Sequence, residues 1–241
     1  METPVLSVAG VTKHFGGLTA VKNFSFDVQP GEAIGLMGPN GAGKTTLVNI
    51  IYGIYKPDSG KIRFRGSNIG GLSPHRICHL GIARTYQIPQ PFATLTALQN
   101  IIVAAIYGRG LSRPDAEKTA HEILEQLDLS PKKNTVTLDM DEVALKRLEL
   151  ARVLATRPSL LLIDEVAAGL TEEELPRILE ILRNIRQAGV TILLIEHVMK
   201  VMTEAVDRII VMDRGEKIAE GNPGDVMKDR KVIEAYLGEP E

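Results

Sequence analysis

At 241 residues, with 44% hydrophobic and 24% charged side chains, the chain suits one large α/β domain, or a core domain carrying a smaller insertion. Its formal net charge of -2 offers no global basic field for nucleic acid. A single cysteine, Cys78, excludes an internal disulfide and fits a reducing compartment; beside Ile77 and Leu80 it reads as a small buried apolar residue.

Met1–Val11 lacks a basic stretch followed by a long apolar run, so no secretory signal is expected. No run of about 18 apolar residues occurs; the longest apolar run lies around Leu160–Ile163. A role at a membrane would therefore need other chains to cross the bilayer.

Val5–Val11 and Phe24–Val28 alternate apolar with polar residues, the period of strands with one wet face. Ala33–Met37 is a short apolar run, and Thr45–Tyr52 reads as a helix. Between them, Gly38-Pro39-Asn40-Gly41-Ala42-Gly43-Lys44-Thr45-Thr46 matches G-x-x-x-x-G-K-[ST] in full. The glycines let backbone N–H groups curl around phosphate oxygens, and the helix N-terminus adds its dipole. Lys44 is expected to reach the β- and γ-phosphates, and Thr45 to ligate Mg2+. The loop implies nucleoside triphosphate binding without choosing among kinases, GTPases, motors and transporters. No Asn-Lys-x-Asp motif is present to read guanine.

Lys61–Arg65 alternates again, Leu72–Leu80 reads as a helix begun by Ser73-Pro74, and Ile82–Gln87 as a strand. Thr96–Tyr107, Pro114–Leu127 and Glu142–Ala155 then carry helical periodicity with no convincing strand between them, so Pro91 to about Leu154 is expected to be a mostly helical insertion. Leu160–Ile163 and Thr191–Ile195 are continuous apolar runs, which suit parallel strands buried on both faces. Glu172–Gln187 between them reads as an amphipathic helix, Arg208–Met212 with Lys217–Glu220 as a hairpin, and Val226–Leu237 as a closing helix. The alternation of strand and helix argues for an α/β fold with a largely parallel sheet.

Leu160–Ile163 runs into two carboxylates, Asp164 and Glu165. In enzymes with such a phosphate loop a strand-end Asp helps to hold Mg2+, which assigns that role to Asp164. Glu165 then stands where a general base would polarise the attacking water. His197 follows the strand Thr191–Glu196. A lone strand-end histidine is more often structural, but after this strand a neutral imidazole could hydrogen-bond a γ-phosphate and the attacking water. Gln87 alone carries little information.

As an ordered series, these motifs resemble ABC ATPase subunits from about Leu6 to Leu237. The resemblance implies a P-loop NTPase core with an antiparallel β subdomain and a helical insertion, residues 1–90 and 155–241 forming the former and residues 91–154 the latter. It places Phe15 as the aromatic on adenine, Gly38–Thr46 around the phosphates, and Gln87 as a contact to Mg2+ and the γ-phosphate. Ala168-Gly169-Leu170 falls at the D-loop and His197 at the switch histidine. ATP and Mg2+ are the implied cofactors. The implied partners are a second ABC ATPase subunit, two membrane-spanning permease subunits and, indirectly, a solute-binding protein, at the cytoplasmic face of the inner (plasma) membrane. Gln87–Phe92 would link the core to the membrane subunits, with Ile88, Pro89, Pro91 and Phe92 lining a groove. Closer still, Gly81–Gln87, Ala167–Leu170, Ile195-Glu196-His197, Lys217–Gly221 and Ala235-Tyr236-Leu237-Gly238 are similar to the ATP-binding subunits of branched-chain amino-acid importers. Close relatives of those serve urea, short amides or aromatic acids, and the cargo pockets lie in other subunits.

One family motif is broken. The signature Leu-Ser-x-Gly-Gln falls on Met140-Asp141-Glu142-Val143-Ala144, and Leu145 stands where Gln is common. In the family's head-to-tail dimer each signature closes over the other subunit's ATP. Asp141 can cap the helix as Ser would. Ionised, it cannot donate a hydrogen bond and faces a phosphate of like charge, at a cost of roughly 4 kcal/mol before relaxation. Val143 adds a Cβ where the family presents bare backbone. Val166 and Val198 also replace the usual Pro and Asp. One reading is an asymmetric heterodimer with an intact-signature partner; the other is tolerated drift with reduced activity. Two further alternatives are an ATP-binding regulatory subunit with little hydrolysis and a soluble non-transport ABC protein.

Overall fold

The computed structural model describes residues 3–237. Its strands are β1 (Leu6–Phe15), β2 (Leu18–Val28), β3 (Ala33–Met37), β4 (Ser59–Phe64), β5 (Ser67–Asn68), β6 (Ile82–Arg84), β7 (Leu160–Asp164), β8 (Thr191–Ile195), β9 (Arg208–Asp213) and β10 (Glu216–Gly221). Its helices are α1 (Lys44–Ile51), α2 (Pro74–Leu80), α3 (Ala97–Arg109), α4 (Arg113–Gln126), α5 (Glu142–Ala155), α6 (Leu175–Gln187), α7 (Met199–Glu204), α8 (Pro223–Val226) and α9 (Arg230–Leu237). The strands form two sheets, an antiparallel one in the order β2-β1-β4-β5 and a six-stranded one in the order β10-β9-β3-β8-β7-β6. In the larger sheet β3, β6, β7, β8 and β9 run parallel and β10 pairs antiparallel at the edge. The fold class expected from sequence is the one observed.

The continuous apolar runs are explained by what lies on each side of the large sheet. Leu161 and Ile163 of β7, and Ile192 and Leu194 of β8, join the core shared with α3–α6. Their neighbours Leu160, Leu162, Leu193 and Ile195 join the core shared with α1 and the antiparallel sheet. Side chains alternate across a strand, so burial on both faces demands an apolar residue at every position.

Register then positions the site. Leu36 pairs with Ile195, and Ile195 with Asp164. The C-terminal ends of β3, β8 and β7 thus finish side by side, and the residues that follow each one converge on one edge of the sheet, where open α/β sheets place their ligands.

Several elements differ from expectation. The strand at Ile82 ends at Arg84, so Tyr86 and Gln87 leave the sheet. Helix α6 starts at Leu175, because Thr171 N–H and Oγ1 both bond the Glu174 carboxylate in a turn ahead of it. The closing helix is two, with Met227–Asp229 between them. Residues 18–23 extend β2 beyond the alternating stretch, and α7 has no counterpart in the sequence pattern. Gly238, the last residue of the Ala235–Gly238 motif, lies outside the described residues. Cys78 is half-buried, since Ile77, not Cys78, takes the inward position on α2. The thiol instead sits at a seam where α2 meets Thr156, just past α5, and Gly108 of α3, whose missing Cβ leaves room for Thr156.

Candidate functional site

The glycine-rich loop joins β3 to α1 over Gly38–Gly43. Gly38 has φ +148° and Gly43 φ +109°, both in the region that favours glycine. A Cβ at Gly38 would collide with the Met212 carbonyl of β9, and one at Gly43 with the Ala20 carbonyl of β2. The loop is therefore pressed between β9 and β2 at positions where a side chain cannot fit. Lys44 opens α1 and is buried, with its Nζ turned back onto the loop to donate to Gly38 O at 2.7 Å and Pro39 O at 3.0 Å. Burial pushes the Lys44 ammonium down from its ordinary pKa, while Glu165 and Asp164 pull it up.

Beside the loop lies a cleft of about 540 Å³ lined by Phe15, Lys44, Thr45, Gln87, Glu165 and His197, among others. Phe15, at the end of β1, is partly exposed and packs edge-on against Tyr55, with ring centroids 5.1 Å apart. Asn40, Gly41, Ala42, Gly43 and Thr46 line the same cleft, whereas Gly38 and Pro39 lie behind it, where their carbonyls hold Lys44.

Glu165 is the hub of the polar side of the cleft. Gln87 Nε2 donates to its Oε2 at 2.6 Å, and His197 Nε2 stands 3.2 Å from its Oε1. Its backbone adopts φ +53°, a left-handed conformation costing about 1–2 kcal/mol in a residue with a Cβ. Glu165 N–H bonds Ile195 O of the neighbouring strand at 2.9 Å, which secures that turn. Val166 matters here, since a proline in its place would restrict the backbone of the residue before it.

Asp164 is buried just behind the residues that line the cleft and is held by Arg84. Arg84 Nη2 lies 3.2 Å from its Oδ2, and both side chains are only 4% exposed. The same guanidinium reaches Asn49 of α1 and stacks over the Tyr86 ring at 5.1 Å, while its Nε has no partner among the described residues. Burial pushes the Asp164 carboxyl up, and Arg84 opposes this. Thr85 Oγ1 accepts from Asp164 N–H at 3.0 Å. Thr45, Asp164 and Gln87 offer hydroxyl, carboxylate and amide oxygens, a hard donor set that fits Mg2+ when phosphates supply the remaining ligands. Among the described residues no group of three His, Cys, Asp or Glu could hold a metal unaided.

Some residues that shape the site were given no role of their own by the sequence. Glu196 is 1% exposed and accepts from Ala167 N–H at 2.6 Å and His197 N–H at 3.1 Å, tying the segment after Glu165 to the strand before His197. Lys146 of α5 donates to Ala168 O and pairs with Glu142 at 3.1 Å. A charge at the inner end of an apolar run is the sign that marks Arg84 and Glu196; nothing local marks Lys146. At the start of α5, Asp141 accepts from Ala144 N–H at 2.8 Å and so caps the helix, as its residue type leads one to expect, and it also pairs with Lys132. Lys132, with the Ala144 amide, holds the Asp141 carboxyl below the usual carboxylate range.

The stretch from Gln87 to Phe92 is held at both ends. Gln87 bonds Glu165 at one end. At the other, Phe92 N–H donates to Asn100 Oδ1 at 2.8 Å, its carbonyl accepts from Thr137 Oγ1 at 3.1 Å, and Arg152 donates to Gln90 O at 2.8 Å. Ile88 between them is 74% exposed.

Comparison with known proteins gives a consistent picture. The ABC transporter family matches residues 21–168, and the branched-chain amino acid ATP-binding cassette transporter family matches residues 216–241. The high-affinity branched-chain amino acid transport ATP-binding protein BraF of Pseudomonas aeruginosa is 37% identical over 99% of this chain and 100% of its own length. A nucleotide-free ATP-binding cassette from an ABC transporter superposes with TM-score 0.89 at 31% identity, covering 98% of this chain and all of that one. A cassette in its ADP conformation gives 0.87 at 31% identity, covering 99% of this chain and all of that one.

Proposed function

Because the chain belongs to the ABC transporter family of ATP-binding cassettes, an ATPase fold coupled to transport, we propose that it energises an importer for branched-chain amino acids or related small polar solutes. The names of its relatives and the match over residues 216–241 support that cargo class. It would work with two membrane-spanning permease subunits and, through them, a solute-binding protein. No helix among the described residues is long and apolar enough to cross a membrane, so on this reading the subunit docks at the cytoplasmic face.

The observation that carries the reading is one cleft uniting the phosphate loop with a glutamate bonded by both Gln87 and His197. Incoming phosphates compete with the Gly38 and Pro39 carbonyls for Lys44. Mg2+, when bound with nucleotide, would neutralise charge on the β- and γ-oxygens, held by Thr45, Asp164 and Gln87. Phe15 offers its ring to adenine. Glu165, placed as general base, exchanges its bond to Gln87 for one to the attacking water, and His197 steadies that water and the γ-phosphate.

The broken signature favours an asymmetric pair. Asp141 is 58% exposed and Glu142 77%, so the start of α5 presents a carboxylate where the family offers a hydroxyl, and a second one at the variable position beside it. Lys132 and Lys146 offset part of that charge, which lowers the repulsion below the bare-charge figure. Neither supplies the missing backbone approach at Val143. A partner with an intact signature would complete the site built on this chain's Lys44, Asp164, Glu165 and His197.

The test is steady-state ATPase of the purified chain across protein concentration, beside an Asp141→Ser/Val143→Gly variant. Ala144 is left alone because it is buried and a longer side chain would disturb the core. Low activity in the wild type, with a gain in the variant that rises faster than linearly with concentration, supports the heterodimer. Cooperative turnover by the wild type, unchanged in the variant, would make the chain a self-sufficient homodimer. A regulatory subunit would show no gain in either.

A further inference from the structure

The Ala235–Gly238 motif has no part in the cleft, yet one of its side chains reaches the phosphate loop from behind. Gly38 N–H donates to Tyr236 Oη at 2.9 Å, a bond spanning 198 residues. Gly38 is thereby held on three sides. Its N–H goes to Tyr236, its carbonyl to Lys44 Nζ, and its Cα lies against the Met212 carbonyl, where no Cβ fits. Further along the loop, Gly215 N–H bonds Ala42 O at 2.9 Å, so the β9–β10 turn grips a second point.

Gly38 is the residue most in need of such support. At φ +148° a glycine has several accessible alternatives, and an untethered peptide there would flip between them. Lys44 depends on the outcome, because the Gly38 carbonyl is one of its two acceptors. We propose that Tyr236 is a positioning residue, its hydroxyl fixing the first peptide of the phosphate loop so that α9 sets the affinity for nucleotide. Tyr236 touches no phosphate; it acts by removing the freedom the loop would otherwise lose on binding. Phenylalanine keeps the ring and deletes the acceptor, which separates the hydroxyl from mere packing.

The inference rests on nucleotide binding in the cleft, and the experiment tells the two apart. Equilibrium affinity for ADP and for Mg·ATP is measured by displacement of a fluorescent ADP from the full chain, for the wild type, Tyr236→Phe and Tyr236→Ala. Thermal midpoints without nucleotide are recorded alongside. Loss of one hydrogen bond to a backbone amide should weaken binding by about threefold to tenfold in Tyr236→Phe. ADP and ATP should weaken in equal proportion, since the loop serves the phosphates common to both, and the midpoint should stay near that of the wild type. Wild-type affinity in Tyr236→Phe overturns the proposal, as does a loss confined to ATP. A lowered midpoint with unchanged affinity also overturns it, leaving Tyr236 a packing residue. A wild type that binds neither nucleotide would sink the underlying site instead. Should Tyr236→Ala fail to fold, the phenylalanine variant still decides.

Discussion

Glu165 holds two neighbours at once, and this makes its substitution informative. Glu165→Gln keeps a hydrogen-bonding side chain of the same shape but removes the base. In the assembled transporter it should lower turnover by about a hundredfold or more while nucleotide binding persists, read by phosphate release beside equilibrium binding. Turnover that survives the change would remove Glu165 from the mechanism. Arg84 makes a separate prediction about stability. It is the buried counter-charge to Asp164, so Arg84→Met leaves a carboxylate uncompensated and should cost about 3–5 kcal/mol in denaturant unfolding. The double variant Arg84→Met/Asp164→Asn should recover much of that loss. If it does not, Arg84 contributes through Asn49 and Tyr86 rather than through Asp164.

At the scale of the element, α5 joins the motif at its own N-terminus to the loop that starts at Gln87. Asp141 caps it, and Arg152 near its far end grips Gln90. Asp141→Ala should cost about 1 kcal/mol, and Asp141→Ser very little. The sign with pH follows from a folded carboxyl held below its ordinary range. Its contribution is fully present above the unfolded value of about 3.9 and is lost as pH falls through the lower folded value. Thermal midpoints of Asp141→Ala and wild type should therefore differ at pH 7 and converge in strong acid; a gap that persists there would mean that the charge is not the cause. The elements were legible from sequence where every position was apolar, as in β3 and β8, or where an explicit N-cap opened a periodic run, as in α5; their bounds match the pattern. Helix α7 was not, because six residues with only Val201 and Met202 buried set no period. The site divides in the same way. The phosphate loop is contiguous and could be read directly, whereas Arg84 and Tyr236 owe their roles to partners 80 and 198 residues away, a pairing no local period encodes.

For the whole molecule, two unlike surfaces matter. The cleft gathers Lys44, Thr45, Gln87, Glu165 and His197, while the start of α5, beside the Ala168-Gly169 segment, exposes Asp141 and Glu142. On the asymmetric reading proposed above, such a chain would donate one half of a composite site and contribute poorly to the other, and the concentration series measures that imbalance directly. Any movement of the α3–α5 segment against the sheet would cross the seam at which α2, α3 and the end of α5 meet, where the chain's one thiol, Cys78, lies. Burial pushes the Cys78 thiol up, so its reactive thiolate is scarce at neutral pH. The chain therefore carries a built-in chemical clock: aromatic disulfide reagents should modify Cys78 slowly, and ATP with the partner subunit should change that rate severalfold. An unchanged rate would mean that α2 and the α3–α5 segment keep their packing around Cys78 throughout that step.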